Sequence, residues 1–310
     1  MLKFLFLTDT HYRDDKPKGR TDDIMKAQFD ELGEVLHICN EEDIDVILHG
    51  GDFFNTKKPS HRLVVHILDW CKMLSKPIVG VIGNHDITGY NLDSVINSGL
   101  GVLFESGAVE RLENMVWQDK EKVVVKAVHS SLDFNKDYMF DSKYDDHIKI
   151  ILSHNYVIPT DSMPWGFVHP KDIKTNADLV LCGHYHVAFD YTNGKTRWIN
   201  PGAVSRWKIT ERDHTPQVLF ITVNKGKLNV AYRKLTSSRP GHEIFDVDAV
   251  EILKQQERNI EQFARSLEET SFQDIDIEQV VRTVGKAQDV GGEILELILT
   301  KLREAKEVLK

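Results

Sequence analysis

Cysteine is scarce in this chain: three in 310 residues, at positions 39, 71 and 182. An odd number of widely spaced thiols makes no disulfide framework, which points to a reducing compartment and hence to the cytoplasm. Long apolar runs are missing too. No stretch approaches the ~18 consecutive apolar residues that a membrane span requires. The start, Met1-Leu2-Lys3-Phe4-Leu5-Phe6-Leu7, has only a faint likeness to a secretory leader. Its apolar run stops before Asp9, too short for a leader core, and no small-residue cleavage site follows. It reads as a buried first strand. No internal repeat and no low-complexity segment is present. An excess of positive charge is also absent, since 48 Asp and Glu against 39 Lys and Arg give −9. Residues 241–310 carry most of that imbalance, with 16 acidic against 9 basic side chains. The remainder is near neutral, so net charge decides nothing about a polyanionic partner.

The first hundred residues alternate apolar strand patterns with helical ones. Residues 2–7, 45–48 and 77–82 read as strands. Residues 24–39 have helical spacing through Ile24, Ala27, Leu32, Val35 and Leu36, and Ser60 is placed to cap a helix over 60–74. This rhythm predicts parallel strands with helices on both faces. From residue 101 shorter strands follow, at 123–129, 148–153, 179–182, 197–199, 218–223 and 228–232. Asn193-Gly194 reads as a hairpin turn. A second sheet facing the first is expected. Beyond Arg239-Pro240-Gly241 the pattern turns helical, over 250–267, over 277–287 behind a capping box of Asp276 and Gln279, and over 293–309 behind Gly291-Gly292. The last helix puts Ile294, Leu297, Ile298, Leu302, Ala305 and Val308 or Leu309 on one stripe.

Five short motifs carry the chemistry, each following an apolar run: Asp9-Thr10-His11, Gly51-Asp52, Gly83-Asn84-His85-Asp86, His154, and Gly183-His184-Tyr185-His186. Taken singly, Asp-x-His is commonly a turn Asp with a surface His, and Gly-Asp a plain turn. Gly-Asn-His-Asp after a strand is far rarer. Its Asn oxygen can ligate a metal without adding charge, and the adjacent His can face a leaving group. Asp52, behind a glycine that lets the backbone approach closely, is suited to bridge two ions. His184 and His186, two apart, can serve two different ions. Oxygen and imidazole donors without thiolate suit Mn²⁺, Fe or Zn²⁺. Two such ions roughly 3.5–4 Å apart hold a phosphate and activate water for in-line displacement.

In these motifs the chain resembles the calcineurin-like metallophosphoesterase superfamily, over roughly residues 1–208. The resemblance implies an α/β fold, a four-layer α/β/β/α sandwich, here with a C-terminal helical extension. It implies one divalent ion on Asp9, His11 and His186, a second on Asn84, His154 and His184, and Asp52 between them. It makes His85 the general acid and Asp86 the residue that orients it.

A narrower resemblance is to DNA-repair nucleases of the SbcD type. It rests on Arg20-Thr21-Asp22-Asp23, on Asp45-Val46-Ile47-Leu48-His49-Gly50-Gly51-Asp52-Phe53-Phe54-Asn55, and on Pro59-Ser60. Asn200-Pro201-Gly202-Ala203 with Arg206, and Arg239-Pro240, add to it. Asn55 stands where archaeal and eukaryotic relatives carry His. The part after Pro240 is shorter than a full DNA-binding cap. This likeness implies Mn²⁺ as the metal, DNA as substrate, phosphate contacts from Asn55, Arg20 and Arg206, and an SMC-like ATPase partner of the SbcC type. It also implies a homodimer through helix 60–74 and segment 91–103, where Leu63, Val64, Ile67, Leu68 and Trp70 exceed one core-facing stripe. Residues 1–236 then form the nuclease domain, 237–248 a linker, and 249–310 a small helical region for the ATPase. A small-molecule phosphodiesterase or phosphatase on the same fold is the alternative, and a non-catalytic binding module the second. The module would need a lost ligand, and none is missing. Elsewhere the plainer assignment stands beside the functional one: His37 and His66 as helix residues, Lys57, Lys58, Arg62, Arg206 and Lys208 as solvated surface or phosphate contacts, Trp165 and Trp207 as packed aromatics or stacking platforms for a base or sugar. His49 and His129 end strands near the site.

Overall fold

The computed structural model describes residues 1–131, 138–161, 166–248, 277–287 and 292–308. The chain divides into two compact units, Met1–Val250 and Glu251–Lys310.

In the first unit β1 (Leu2–Leu7), β2 (Val46–His49), β3 (Ile78–Gly80) and β4 (Glu110–Arg111) run parallel. Helices α1 (Ile24–Glu41) and α2 (His61–Met73) are the first two crossovers. Strand β11 (Gln217–Asn224) lies antiparallel to β1, and β12 (Lys227–Lys234) completes that edge. The second sheet has the order β5 (Asn114–Trp117), β6 (Val123–Val128), β7 (Ile148–Ser153), β8 (Leu179–Cys182), β10 (Thr196–Asn200), β9 (Phe189–Asn193). Its four inner strands are parallel.

The two faces of the first strands explain the layering. Side chains alternate along a strand. Leu5, Leu7 and Ile47 pack on Leu32, Val35 and Ile38 of α1 and on Leu63 and Ile67 of α2. Leu2, Phe4, Phe6, Val46 and Leu48 face the other way, onto Val123, Val125, Ile150, Leu152, Leu179 and Leu181 of the second sheet. Helices therefore cover one face of the first sheet, not both, because the opposite face is already filled by the second sheet. Strands buried on both faces read as unbroken apolar runs, which is why β1 imitates a leader. The outer face of the second sheet, with Val124, Ile151, Val180 and Trp198, is covered by Tyr138, Phe140 and Val157. Two single-turn helices, Ser142–Tyr144 and Pro170–Asp172, lie in the segments between those strands.

Local signals hold where a cap fixes them. The Ser60 hydroxyl accepts the Leu63 N–H at 3.2 Å, and Asp23 accepts that of Lys26 at 3.0 Å. Such a cap typically contributes about 1 kcal/mol. The hairpin turn falls on Gly194-Lys195, one residue later than the Asn-Gly pair suggests. The 3₁₀ segment Leu92–Asn97, the helix α3 (Gly99–Glu105) and strands β4, β5 and β9 add to the predicted elements. All three cysteines are free and buried. Among the described residues no helix is long and apolar enough to cross a membrane.

The second unit contains helices Ile277–Ala287 and Gly292–Val308, which pair with each other. Leu295 and Leu299 are buried, Leu295 against Gly285 of the preceding helix. Gly285 makes room, since a Cβ there would lie 2.4 Å from Leu295 Cδ1. Ion pairs Arg282–Glu296 at 2.8 Å and Arg303–Glu278 at 2.6 Å flank the contact. The predicted stripe is thus not the one that finds a partner helix. Ile294, Leu297 and Ile298 stay exposed. The expected helix over 250–267 and the cap residue Asp276 lie outside the described residues.

Candidate metal centre

Every predicted ligand sits just beyond the carboxyl end of a parallel strand, where open sheets place their ligand sites. Asp9 and His11 follow β1, Asp52 follows β2, Asn84 and His85 follow β3, His154 follows β7, and His184 and His186 follow β8. The turns are sharp. Asp9, His11, Asp52 and His184 have φ of +53°, +41°, +53° and +69°, a region disfavoured for residues with a Cβ. Such backbone persists only where its surroundings enforce it, and it concentrates at functional sites. The surroundings here are interlocking hydrogen bonds. His184 N–H donates to Asp9 Oδ1 at 3.1 Å, and His85 N–H donates to Asp52 Oδ1 at 2.9 Å. Gly83 must be glycine, because a Cβ would lie 2.0 Å from Asp52 Oδ1.

The side chains converge in two groups that share Asp52. In the first, the Nε2 atoms of His11 and His186 face each other at 2.9 Å, with Asp9 Oδ1 at 3.8 and 3.7 Å. In the second, Asn84 Oδ1 lies 2.6 Å from His184 Nδ1 and 3.3 Å from His154 Nε2. Asp52 Oδ2 stands 3.2 Å from His154 Nε2 and 3.6 Å from His11 Nε2. With Oδ1 held by the His85 N–H, Oδ2 is the oxygen free to face both groups.

The tautomers fit cation ligation. His154 Nδ1 donates to the Gly50 carbonyl at 2.6 Å, and His186 Nδ1 donates to Glu211 Oε1 at 2.5 Å. Each ring therefore turns its Nε2 lone pair towards carboxylate or amide oxygens. Lone pairs aimed at one point repel unless a cation lies among them. Burial opposes charge on His154, yet Asp52 and Asp9 outweigh it and lift the imidazole to about 10. Burial likewise pushes Asp52 upward, but His154, His11 and His85 together hold it below the usual carboxylate range. Burial pushes His184 down to about 3, with His154 adding to the effect. The donor set is oxygen and imidazole with no thiol, as Mn²⁺, Fe and Zn²⁺ accept.

His85 lies at the edge of this cluster. Its Nδ1 donates to the Asn55 carbonyl at 2.6 Å, and its ring centroid is 4.8 Å from that of His11. Asp86 is placed otherwise than expected. Its Oδ2 accepts Gly83 N–H at 2.9 Å and Asp52 N–H at 3.1 Å, so it fastens two ligand-bearing loops together. Burial and the neighbouring Asp52 push its carboxyl well above the usual range. The backbone of Asn55 orients His85 instead.

Arg20 and Arg206 are not brought to the cluster. Arg20 is buried, pairs with Asp22 at 2.7 Å and donates to the Arg206 carbonyl. Arg206, also buried, donates to the carbonyls of His214 at 3.1 Å and Arg239, and to Ser238 Oγ at 2.9 Å. Both guanidiniums bind the protein's own backbone. His49 is buried and neutral, pushed down to about 3 by burial, with Gly51 N–H donating to its Nδ1 at 3.2 Å. His129 Nδ1 accepts the Ile82 N–H at 3.0 Å. His37 is a surface residue beside Glu41, and His66 lies against Phe29. Lys57, Lys58 and Arg62 are exposed. Trp207 packs near His11 and His186, its centroid 5.8 and 6.3 Å from theirs. Trp165 lies outside the described residues. The residues missed by sequence reasoning are Glu211 and Thr8, the latter donating to Asp9 Oδ2 at 2.7 Å. A cleft of about 410 Å³ opens over the cluster, lined by Asp52, Asn84, His85, Tyr156, Lys208 and Glu211 among others.

Comparison with known proteins bears on this site. The family described as calcineurin-like phosphoesterase matches residues 2–188. A double-strand break repair protein MRE11 of Encephalitozoon cuniculi is 21% identical over 282 residues, covering 77% of this chain and 48% of that protein. A DNA double-strand break repair protein Mre11 of Halobacterium salinarum is 27% identical over 232 residues, covering 69% of this chain and 54% of the relative. The chain thus spans about half the length of these curated relatives. A dimetal phosphatase from Danio rerio has a similar fold, with TM-score 0.52 and 13% identity, over 76% of this chain and 96% of that one.

Proposed function

We propose, on the premise that the chain belongs to the calcineurin-like phosphoesterase family, that it is a Mn²⁺-dependent DNA nuclease of the SbcD type. The observation that carries the metal chemistry is the gathering of six other ligand-type side chains into two groups, His11 of one and His154 of the other facing Asp52 Oδ2, with His85 at the cleft edge. Asp9, His11 and His186 would hold one ion, and Asn84, His154 and His184 the other, with Asp52 common to both. When bound, the ions supply neutralisation of the phosphate oxygens and activation of water. The chain's own part is positional. Asn55 fixes one nitrogen of His85, so the other is available to protonate a leaving sugar oxygen. Support for DNA as substrate comes from the break-repair relatives, whose matches cover 69 to 77% of this chain. The test is digestion of an end-labelled duplex with and without Mn²⁺, beside bis(p-nitrophenyl) phosphate. Mn²⁺-dependent shortening of the duplex is expected. Hydrolysis of the small ester with an intact duplex would favour a small-molecule phosphodiesterase.

The partner reading is a proposal of the same kind. Ile294, Leu297 and Ile298 form an exposed apolar face on the last helix. In a groove of an SbcC-type ATPase each could contribute roughly 1.5–3 kcal/mol. Deleting residues 291–310 is expected to leave metal binding and melting of the first unit unchanged and to abolish co-purification with the ATPase. A truncated chain that melts several degrees lower and still binds would make the helix part of the fold.

The homodimer rests on different residues from those the sequence suggested. Leu63, Ile67 and Trp70 are buried in their own core, with Val64 and Leu68 packed against it. Exposed apolar side chains on this side are Val65, Met73, Ile96 and Val102. Light scattering at micromolar concentration should report a dimer, and a monomer would remove the proposal.

A further inference from the structure

The two groups of ligands are backed differently. His154 leans on a neutral carbonyl, that of Gly50. His186 leans on a carboxylate, that of Glu211, 25 residues further along the chain. Glu211 is 4% exposed and ends a single-turn helix, Ile209–Glu211. Its second oxygen accepts the N–H groups of Trp207 at 2.8 Å and Lys208 at 3.0 Å. A buried carboxylate is costly unless charge and hydrogen bonds compensate it, and here three donors do so. One carboxylate therefore fixes the tautomer and ring plane of His186 and also the loop that forms one wall of the cleft. From this we infer that Glu211 is a positioning residue for the ion assigned to Asp9, His11 and His186, raising the basicity of His186 towards that ion alone. The inference rests on the two-ion reading given above.

A carboxylate behind a ligating imidazole holds the ring ready and strengthens it as a donor, and losing such a partner typically costs about 10–100-fold in metal affinity. Glu211→Gln isolates that effect. Glutamine keeps the size of the side chain, and its amide oxygen can still accept one of the backbone N–H groups. The measurement is calorimetric titration of Mn²⁺ into the metal-stripped full chain. The parent should bind two equivalents. The variant should bind one of them about 10–100-fold more weakly and the other as the parent does. Glu211→Asp keeps the charge but withdraws its reach, so it should weaken the same equivalent by less. A carboxylate that served only to hold the loop would not confine its effect to one ion. Equal weakening of both equivalents, or no weakening in either variant, overturns the inference while the two-ion reading stands. A parent chain that binds no Mn²⁺ overturns both.

Discussion

Replacing His85 by Asn is expected to lower phosphodiester cleavage by ~10²–10⁴-fold while both ions stay bound. The geometry explains why activity and metal content should separate. The backbone N–H of His85, not its ring, holds Asp52 Oδ1 at 2.9 Å, so Asp52 keeps its place in the variant. An Asn side chain can also donate to the Asn55 carbonyl as the His85 ring does. What it lacks is an imidazole ring to serve as the proton donor. The rival outcome is concrete, because one nitrogen of His85 lies within ligand reach of His11 and Asp52. Metal analysis of the purified variant decides between them. A fall in bound metal that parallels the fall in activity would make His85 a ligand.

Asp52→Ala should have the largest effect on metal content. Among the described residues Asp52 Oδ2 is the oxygen placed near histidines of both groups, at 3.2 Å from His154 and 3.6 Å from His11. Its loss should weaken both ions together, by more than the about 10–100-fold typical of an outer partner. It also removes the carboxylate that does most to offset the burial of His154. His186→Ala, by contrast, should affect mainly the ion assigned to Asp9 and His11. Metal analysis of the two variants side by side is the check, and an equal loss of both ions in each would refute the shared role of Asp52.

The candidate ligands could be marked in the sequence because each follows an apolar strand, and strand ends are what periodicity reveals best. The left-handed backbone at Asp9, His11, Asp52 and His184 was not legible. Nothing in an Asp or a His announces it, and the enforcing hydrogen bonds come from residues far away in sequence. Glu211 was hidden for the same reason. Its only local sign is the three-residue spacing from Lys208, and its partner His186 belongs to another strand end. Arg20 and Arg206 were misread because a guanidinium suits phosphate and backbone carbonyls alike, and only the fold shows which it meets. Helix α3 escaped because it begins at a glycine, a poor helix former. There a Cβ would lie 2.5 Å from the Pro59 ring and 2.8 Å from Phe54. The last helix carries two apolar stripes. Sequence marked the broader one, and the fold buries Leu295 and Leu299 of the other, Leu295 against Gly285 of the preceding helix.

The central claim is that Asp52 lies between two divalent ions. Anomalous diffraction at the manganese edge, from crystals grown with Mn²⁺, tests it most directly. Two peaks are predicted, roughly 3.5–4 Å apart, one among Asp9, His11 and His186 and the other among Asn84, His154 and His184. A single peak, or peaks away from Asp52 Oδ2, would contradict the account.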